Sequence, residues 1–303
     1  MKNPNLSVKI GKVKLKNPVM VASGTFEYAK ETSSLINPKI LGALITKTIT
    51  LKSKKGNPPP RTVETASGML NSIGLENPGV KVFLKEKLPI LRKIGVPIIV
   101  SISGDNDKEF TELAKILSKT KGVSAIELNL SCPNLGTEKL VAQSDKATYR
   151  LVKAVRKTTK LTLITKLSPN VTDIGLIARA TVAADTDAIS LVNTFSAIAI
   201  DADTKSPKLA NITGGLSGPA IKPIALRMVW QAAHTAEIPI IGMGGIMNTE
   251  DALEFIIAGA TAVAVGTANF VNPKATVEII EGIKKYLKAN NIKDINKLIG
   301  AMK

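Results

Sequence analysis

Residues 124–134 read SAIELNLSCPN. Their first half is a short apolar run without clean period-two alternation, which is how a strand buried on both faces reads. The run then changes abruptly to polar groups: Asn129, Ser131, the chain's single cysteine at Cys132, then Pro133 and Asn134. A strand that is apolar to its end and then releases amides, a hydroxyl and a thiol predicts a central strand of a parallel sheet, with its chemistry at the C-terminal tip.

The same pattern recurs seven more times. PVMVASGT (18–25), LGALITKT (41–48), VPIIVSISG (96–104), LTLITKLS (161–168), DAISLVNT (187–194), IPIIGMGG (238–245) and TAVAVGT (261–267) are all short apolar runs ending in small or polar residues. Amphipathic stretches separate most of them. DKEFTELAKILSKT (107–120) gathers Phe110, Leu113, Ala114, Ile116 and Leu117 on one side, and KATYRLVKAVRKTT (146–159) does so with Tyr149, Val152 and Val155. TEDALEFIIAGA (249–260) opens on Asn248 and Thr249 as capping candidates with acids in its first turn, and residues 272–291 form the closing helix.

Eight strands alternating with helices predict an α/β chain folded as a single (β/α)8 TIM barrel spanning 1–303, an architecture of about 250 residues. The extra length is assigned to an N-terminal hairpin, VKIGKVKLKN, and to two inserted loops over the C-terminal face. One holds KKGNPPPR, whose three successive prolines continue neither helix nor strand; the other holds FSAIAIDADTKSPKLANITGGLSGP. A doubly wound open sheet is the alternative, but no G-x-G-x-x-G turn follows the first strand.

Composition narrows the function. One cysteine in 303 residues excludes an internal disulfide and a cysteine-ligated metal or cluster within the chain. No run of about 18 apolar residues and no leader-like N-terminus occur, so a cytoplasmic setting is expected. The net charge of +17 admits nucleic-acid binding. Its lysines, however, are scattered over many helix faces and only six of the basic residues are arginine, which favours solvated surfaces or attraction of small anions.

In a barrel the strand tips converge on one mouth. Here they supply Ser23 and Gly24; Lys47 and Thr48; Ser101; Asn129 and then Cys132; Lys166; Asn193 and Thr194; Gly244 and Gly245; Gly266 and Thr267. Glycine turns after the last two strands, with GGLSGP (214–219) nearby, suit a phosphate held by bare backbone N–H groups. Lys47 and Lys166 each follow an apolar strand, where a lysine without a partner is costly, so both are expected to face an anion. The sole histidine, His234, sits in a helix-like stretch and reads as surface or core. Met69, Met228 and Met243 read as packing. Cys132 is either a small buried hydrophobe or, in a loop over the mouth, a proton acceptor.

At this point the chain resembles the dihydroorotate dehydrogenases. The segments that carry the resemblance are TKTIT…KGNPPPR, GMLNSIGLENPGV, ELNLSCPN, TKLSPNV, LVNT, AIDADT, GGLSGPAIKPIALRMVW, GMGGI and AVGTANF, and the match covers essentially the whole chain. GNPPPR and GLENPG point to the catalytic subunit of the NAD-linked, two-subunit class (class 1B). The resemblance implies oxidation of dihydroorotate to orotate in pyrimidine biosynthesis, with FMN bound by Ser23, Lys47, Thr48, Ser101, Asn129, Lys166, Val192, Gly218, Gly244, Gly245, Gly266 and Thr267. It implies a substrate held by Lys47, Asn71, Ser72, Ile73, Gly74, Leu75, Asn129, Asn134, Asn193 and Thr194. Cys132 would be the base that removes the C5 proton while hydride leaves C6 for flavin N5. At Ser101 the chain departs from its relatives, which commonly carry asparagine there. The resemblance further implies a homodimeric core joined to a second subunit carrying FAD and an iron–sulfur cluster that passes electrons to NAD, with a soluble acceptor such as fumarate as the alternative, and with no nucleic acid and no membrane involved.

Two rivals stand beside this reading. A tRNA dihydrouridine synthase would share barrel, FMN and cysteine and would use the positive charge, but only about 36 residues follow the last strand, too few for an added RNA-binding domain. A non-catalytic basic barrel that binds RNA is the other, and bound FMN would discriminate against it.

Overall fold

The computed structural model describes residues 3–26, 35–130 and 141–303. A short antiparallel hairpin, β1 (Val8–Ile10) and β2 (Val13–Leu15), comes first. It packs under the barrel: Ile10 and Leu15 are buried, and the Lys12 N–H donates to Thr162 Oγ1 at the start of a barrel strand (2.9 Å). The chain then lays down β3 (Val19–Val21) and β4 (Ala43–Ile45), inserts β5 (Thr62–Thr65) and β6 (Gly68–Asn71), and returns for β7 (Ile98–Ile102), β8 (Ala125–Asn129), β9 (Thr162–Lys166) and β10 (Ala188–Leu191). A second insertion holds β11 (Phe195–Ile198), β12 (Ile200–Asp201), β13 (Ser206–Pro207) and β14 (Thr213–Ser217) before β15 (Ile240–Gly242) and β16 (Ala262–Val265).

Eight of these strands close into a parallel barrel in the order β10-β15-β16-β3-β4-β7-β8-β9. Each falls within one of the eight apolar runs. The reason is visible in burial: β3, β4, β7, β9, β10, β15 and β16 are buried at every position, and β8 at all but its last. A strand covered by helices on one side and by its own barrel on the other has no solvent face, so it cannot alternate.

The helices also follow their patterns. Asp107–Ser118 is capped by Asn106, which accepts from the Glu109 N–H at 3.1 Å. Thr249–Ile257 begins with a capping box in which Asn248 and Asp251 satisfy each other's backbone N–H groups, so Asn248 is the cap. One expectation is corrected. Tyr149 belongs to the exposed face of Asp145–Arg156 at 42% exposure, and Leu151 and Thr148 take the buried stripe with Val152 and Val155. A phenol in that stripe would need a buried partner for its hydroxyl, whereas Thr148 finds one in the Val141 carbonyl at 3.0 Å.

The two insertions do not remain separate excursions. They combine as one antiparallel sheet, β11-β14-β6-β5, with Asn71 opposite Gly215, Leu70 opposite Leu216 and Met69 opposite Ser217. Among the described residues no helix is long and apolar enough to cross a membrane.

Candidate active site

The tips of five barrel strands are joined by side-chain hydrogen bonds. Thr48, just past β4, is the centre: its hydroxyl lies 3.2 Å from Ser23 Oγ beyond β3 and 3.0 Å from Ser101 Oγ on β7, and it accepts from Asn129 Nδ2 on β8 at 3.3 Å. Asn129 Oδ1 in turn accepts from Asn193 Nδ2 beyond β10 at 3.3 Å, and Asn193 Oδ1 accepts from the Thr194 N–H at 2.8 Å. Both amides are therefore orientated by partners on either side.

Ser101 lies deeper than its neighbours. It is fully buried and its hydroxyl meets Thr48, so its part in the network is to hold Thr48 from below. Beside it in the β7–β8 ladder, Glu127 is fully buried. Its Oε2 accepts from Ser190 Oγ at 3.0 Å, and its Oε1 has no hydrogen-bond partner among the described residues.

Lys166, at the end of β9, sits opposite Asn129 in the β8–β9 ladder and is 6% exposed. Among the described residues it has neither an ion pair nor a hydrogen bond. A cation removed from water without a counter-charge is unfavourable by several kcal/mol, so this arrangement is that of a site built for an anionic or electron-rich group. Lys47, at the end of β4, is less enclosed, and its ammonium stands 3.9 Å from Glu76 Oε2.

The glycine turns gather on the opposite side of the mouth. Gly244, Gly245 and Gly218 all have positive φ, at 121°, 79° and 95°. A side chain on Gly245 would collide with the Gly218 carbonyl at 2.9 Å and with the Lys222 backbone nitrogen at 2.8 Å. Gly266 is different: a Cβ there would meet nothing nearer than Ala22 at 3.7 Å, which leaves room against its backbone. Thr267 donates to Ser217 Oγ at 2.8 Å, tying the last strand to the inserted sheet. Val192 is buried beside these turns. Lys222 is not free for a phosphate, because Asp251 (2.6 Å) and Glu254 hold its ammonium; the Asp251 hydrogen bond leads the causes that raise its pKa, against the opposing effect of burial.

The segment Asn71 to Leu75 follows β6 as a loop fastened to the proline-rich stretch. Asn57 N–H donates to the Ile73 carbonyl (3.0 Å), Asn57 Nδ2 to Ser72 Oγ (2.9 Å), and Asn71 Nδ2 to the Gly215 carbonyl (3.3 Å). Gly74 takes φ 75° and Leu75 φ 56°. Buried Asn77 anchors the far end, accepting from the Thr50 and Gly79 N–H groups and donating to Thr50 Oγ1 and the Leu75 carbonyl. Cys132 and Asn134 lie outside the described residues. His234 is exposed and lies against Trp230 with the rings tilted 45° and their centroids 4.6 Å apart, while Met228 and Met243 are buried in the core.

Several participants were not singled out from sequence. Arg61, Glu76, Asn77, Asn170 and Ser217 all act through contacts between segments distant along the chain. Asn170, for example, donates to the Thr194 carbonyl (3.3 Å) and accepts from the Ser196 N–H (3.0 Å). Glu127 did carry a signal, since it is the one charged residue within the apolar run SAIELNLS.

A buried cation, paired amides and glycine turns at the open end of a parallel barrel define a site for a phosphorylated cofactor beside a small polar ligand. The family model described as dihydroorotate dehydrogenase matches residues 5–287. Proteins named dihydroorotate dehydrogenase B (NAD(+)), catalytic subunit, are similar along their full length. That of Thermoanaerobacter pseudethanolicus is 52% identical over 300 residues, covering 99% of each chain. Those of Geobacter sulfurreducens and Geotalea daltonii are each 53% identical, covering all of this chain and 99% and 100% of the relative. The chain belongs to the dihydroorotate dehydrogenase family.

Proposed function

We propose that this chain is the catalytic subunit of an NAD-linked dihydroorotate dehydrogenase, working as a single domain over 1–303, and that it oxidises dihydroorotate to orotate with FMN as its resident cofactor. Family membership and identity above 50% to catalytic subunits along their whole length support the activity. The observation that carries the chemistry is Lys166: a buried ammonium without a counter-charge among the described residues, directly across the ladder from Asn129.

The residues present fit FMN. Lys166 offers its charge to the electron-rich edge of the ring, and Lys47, Ser23, Thr48 and Asn129 line the same end of the barrel, with Ser101 supporting Thr48. The bare backbone beside Gly266, with Gly244, Gly245, Gly218, Val192 and Thr267 around it, suits the phosphate. When bound, FMN supplies the hydride acceptor for C6 of the substrate.

The protein's own groups do the rest. Asn129, Asn193 and Thr194 meet the amide and imide edges of the pyrimidine, because an amide side chain presents the matching donor and acceptor. Lys47 takes the carboxylate, and residues Asn71 to Leu75 cover the ring, with Asn134 adding an amide. Cys132 removes the C5 proton, which is acidified by the neighbouring carbonyl. Electrons leave through a second subunit that passes them to NAD, as the relatives' designation as NAD(+)-linked catalytic subunits implies; we assign that subunit FAD and an iron–sulfur cluster, pair the catalytic chains as a homodimer and place the complex in the cytoplasm.

The test is anaerobic mixing of the flavin-loaded protein with dihydroorotate while flavin absorbance is followed. Bleaching by dihydroorotate, with none by RNA containing dihydrouridine, is expected. Bleaching by the RNA alone would transfer the chain to the tRNA-modifying reading.

A further inference from the structure

We propose that Glu76 sets the charge selectivity of the substrate end of the site, tuning it to a ligand that carries one negative charge and restraining its affinity for anions. The inference rests on the pyrimidine-acid reading of that site. A single oxygen, Glu76 Oε2, lies 2.9 Å from Arg61 Nη2 and 3.9 Å from Lys47 Nζ. The first is a charge-assisted hydrogen bond. The second is too long for one, so Glu76 acts on Lys47 by charge alone. Arg61 therefore holds the carboxylate at a fixed standoff from Lys47, and the ammonium keeps its hydrogen-bonding capacity for a ligand.

The standoff is built into the backbone. Gly56, at φ 76°, lets the proline-rich segment close on the substrate loop: a Cβ there would meet Glu76 Cβ at 2.9 Å and Arg61 Nη1 at 3.1 Å. Arg61 Nη1 also reaches the Asn57 carbonyl (3.4 Å), and the Ser72 N–H donates back to the Arg61 carbonyl (2.8 Å). Among the described residues this cluster of Lys47, Arg61 and Glu76 holds two cations and one anion, a net single positive charge that one carboxylate neutralises. Without Glu76 the same pocket would present two uncompensated cations. The three side chains are 22–41% exposed, so screening by water limits the effect.

The experiment is equilibrium dialysis of orotate and of neutral uracil against the FMN-loaded protein. Glu76→Gln retains an oxygen for Arg61 and removes the charge; its orotate Kd is expected to fall about tenfold at low salt, the gain shrinking as salt screens the site. Uracil binding is expected to stay constant. Arg61→Gln frees Glu76 to close on Lys47, so orotate should bind at least several-fold more weakly, again without change for uracil. Unchanged or weaker orotate binding in Glu76→Gln overturns the proposal, and so does unchanged binding in Arg61→Gln. Failure of the wild-type protein to bind orotate at all instead removes the reading of the site on which the proposal stands.

Discussion

Asn129 and Lys166 face each other across the β8–β9 ladder, an orientated amide beside a buried ammonium that has no ion pair among the described residues. A lysine charge withdrawn from water with no partner among the described residues lowers the stability of the apoprotein. Lys166→Met is therefore expected to raise the melting temperature of the apoprotein by a few degrees and to weaken FMN binding by at least tenfold. Calorimetry and fluorescence titration with FMN check the two halves. A destabilised apoprotein with unaltered FMN affinity would mean that Lys166 is a packing residue.

Asn77 spends its side chain tying the loop proposed to cover the substrate to Thr50, with hydrogen bonds to Thr50, Leu75 and Gly79. Truncation leaves several buried backbone groups unpaired, at a cost of about 2–4 kcal/mol. Asn77→Ala should lower stability by that amount in urea unfolding, and should raise the KM for dihydroorotate more than it lowers kcat. Wild-type stability would show that the turn holds itself.

Asp294 joins the two ends of the chain. It receives the Asn296 N–H, the principal cause of a lowered pKa, and the Asn5 amide at 2.9 Å. A carboxyl depressed in the folded state stabilises it at pH above the unfolded value, about 3.9, and loses that contribution as pH falls through the folded one. Asp294→Ala should thus melt below the wild-type protein at pH 7, with the gap narrowing below about pH 4. A gap independent of pH would assign the effect to packing.

Cys132 is proposed as the base. Cys132→Ala should keep FMN and orotate binding and lose flavin reduction by dihydroorotate. For the unmodified protein the reduction rate should climb with pH toward the thiol's range near 8.5, because the thiolate is the form that accepts a proton. A flat profile from pH 6 to 9 would place the base elsewhere.

The barrel was legible because strands buried on both faces lose alternation, and each of the eight runs contains one barrel strand. Strand-tip residues were legible for the same reason: the position where LITK or IELN turns polar is the mouth. Joining β6 to β14 was not. That pairing brings Asn71 against Gly215, 144 residues along the chain, and neither segment carries strong strand chemistry alone, TGGLS least of all. Glu76 was hidden likewise. Read locally, GLENPG is a polar turn, and its meaning depends on Arg61 and Lys47 arriving from two other segments.

The central claim is that the strand tips form a pocket for a pyrimidine acid over FMN, and titration of the FMN-loaded protein with orotate, followed in flavin absorbance, tests it most directly. A saturable shift at one orotate per chain is predicted, abolished in Asn193→Ala while FMN stays bound. Orotate binding of undiminished strength in Asn193→Ala would contradict it.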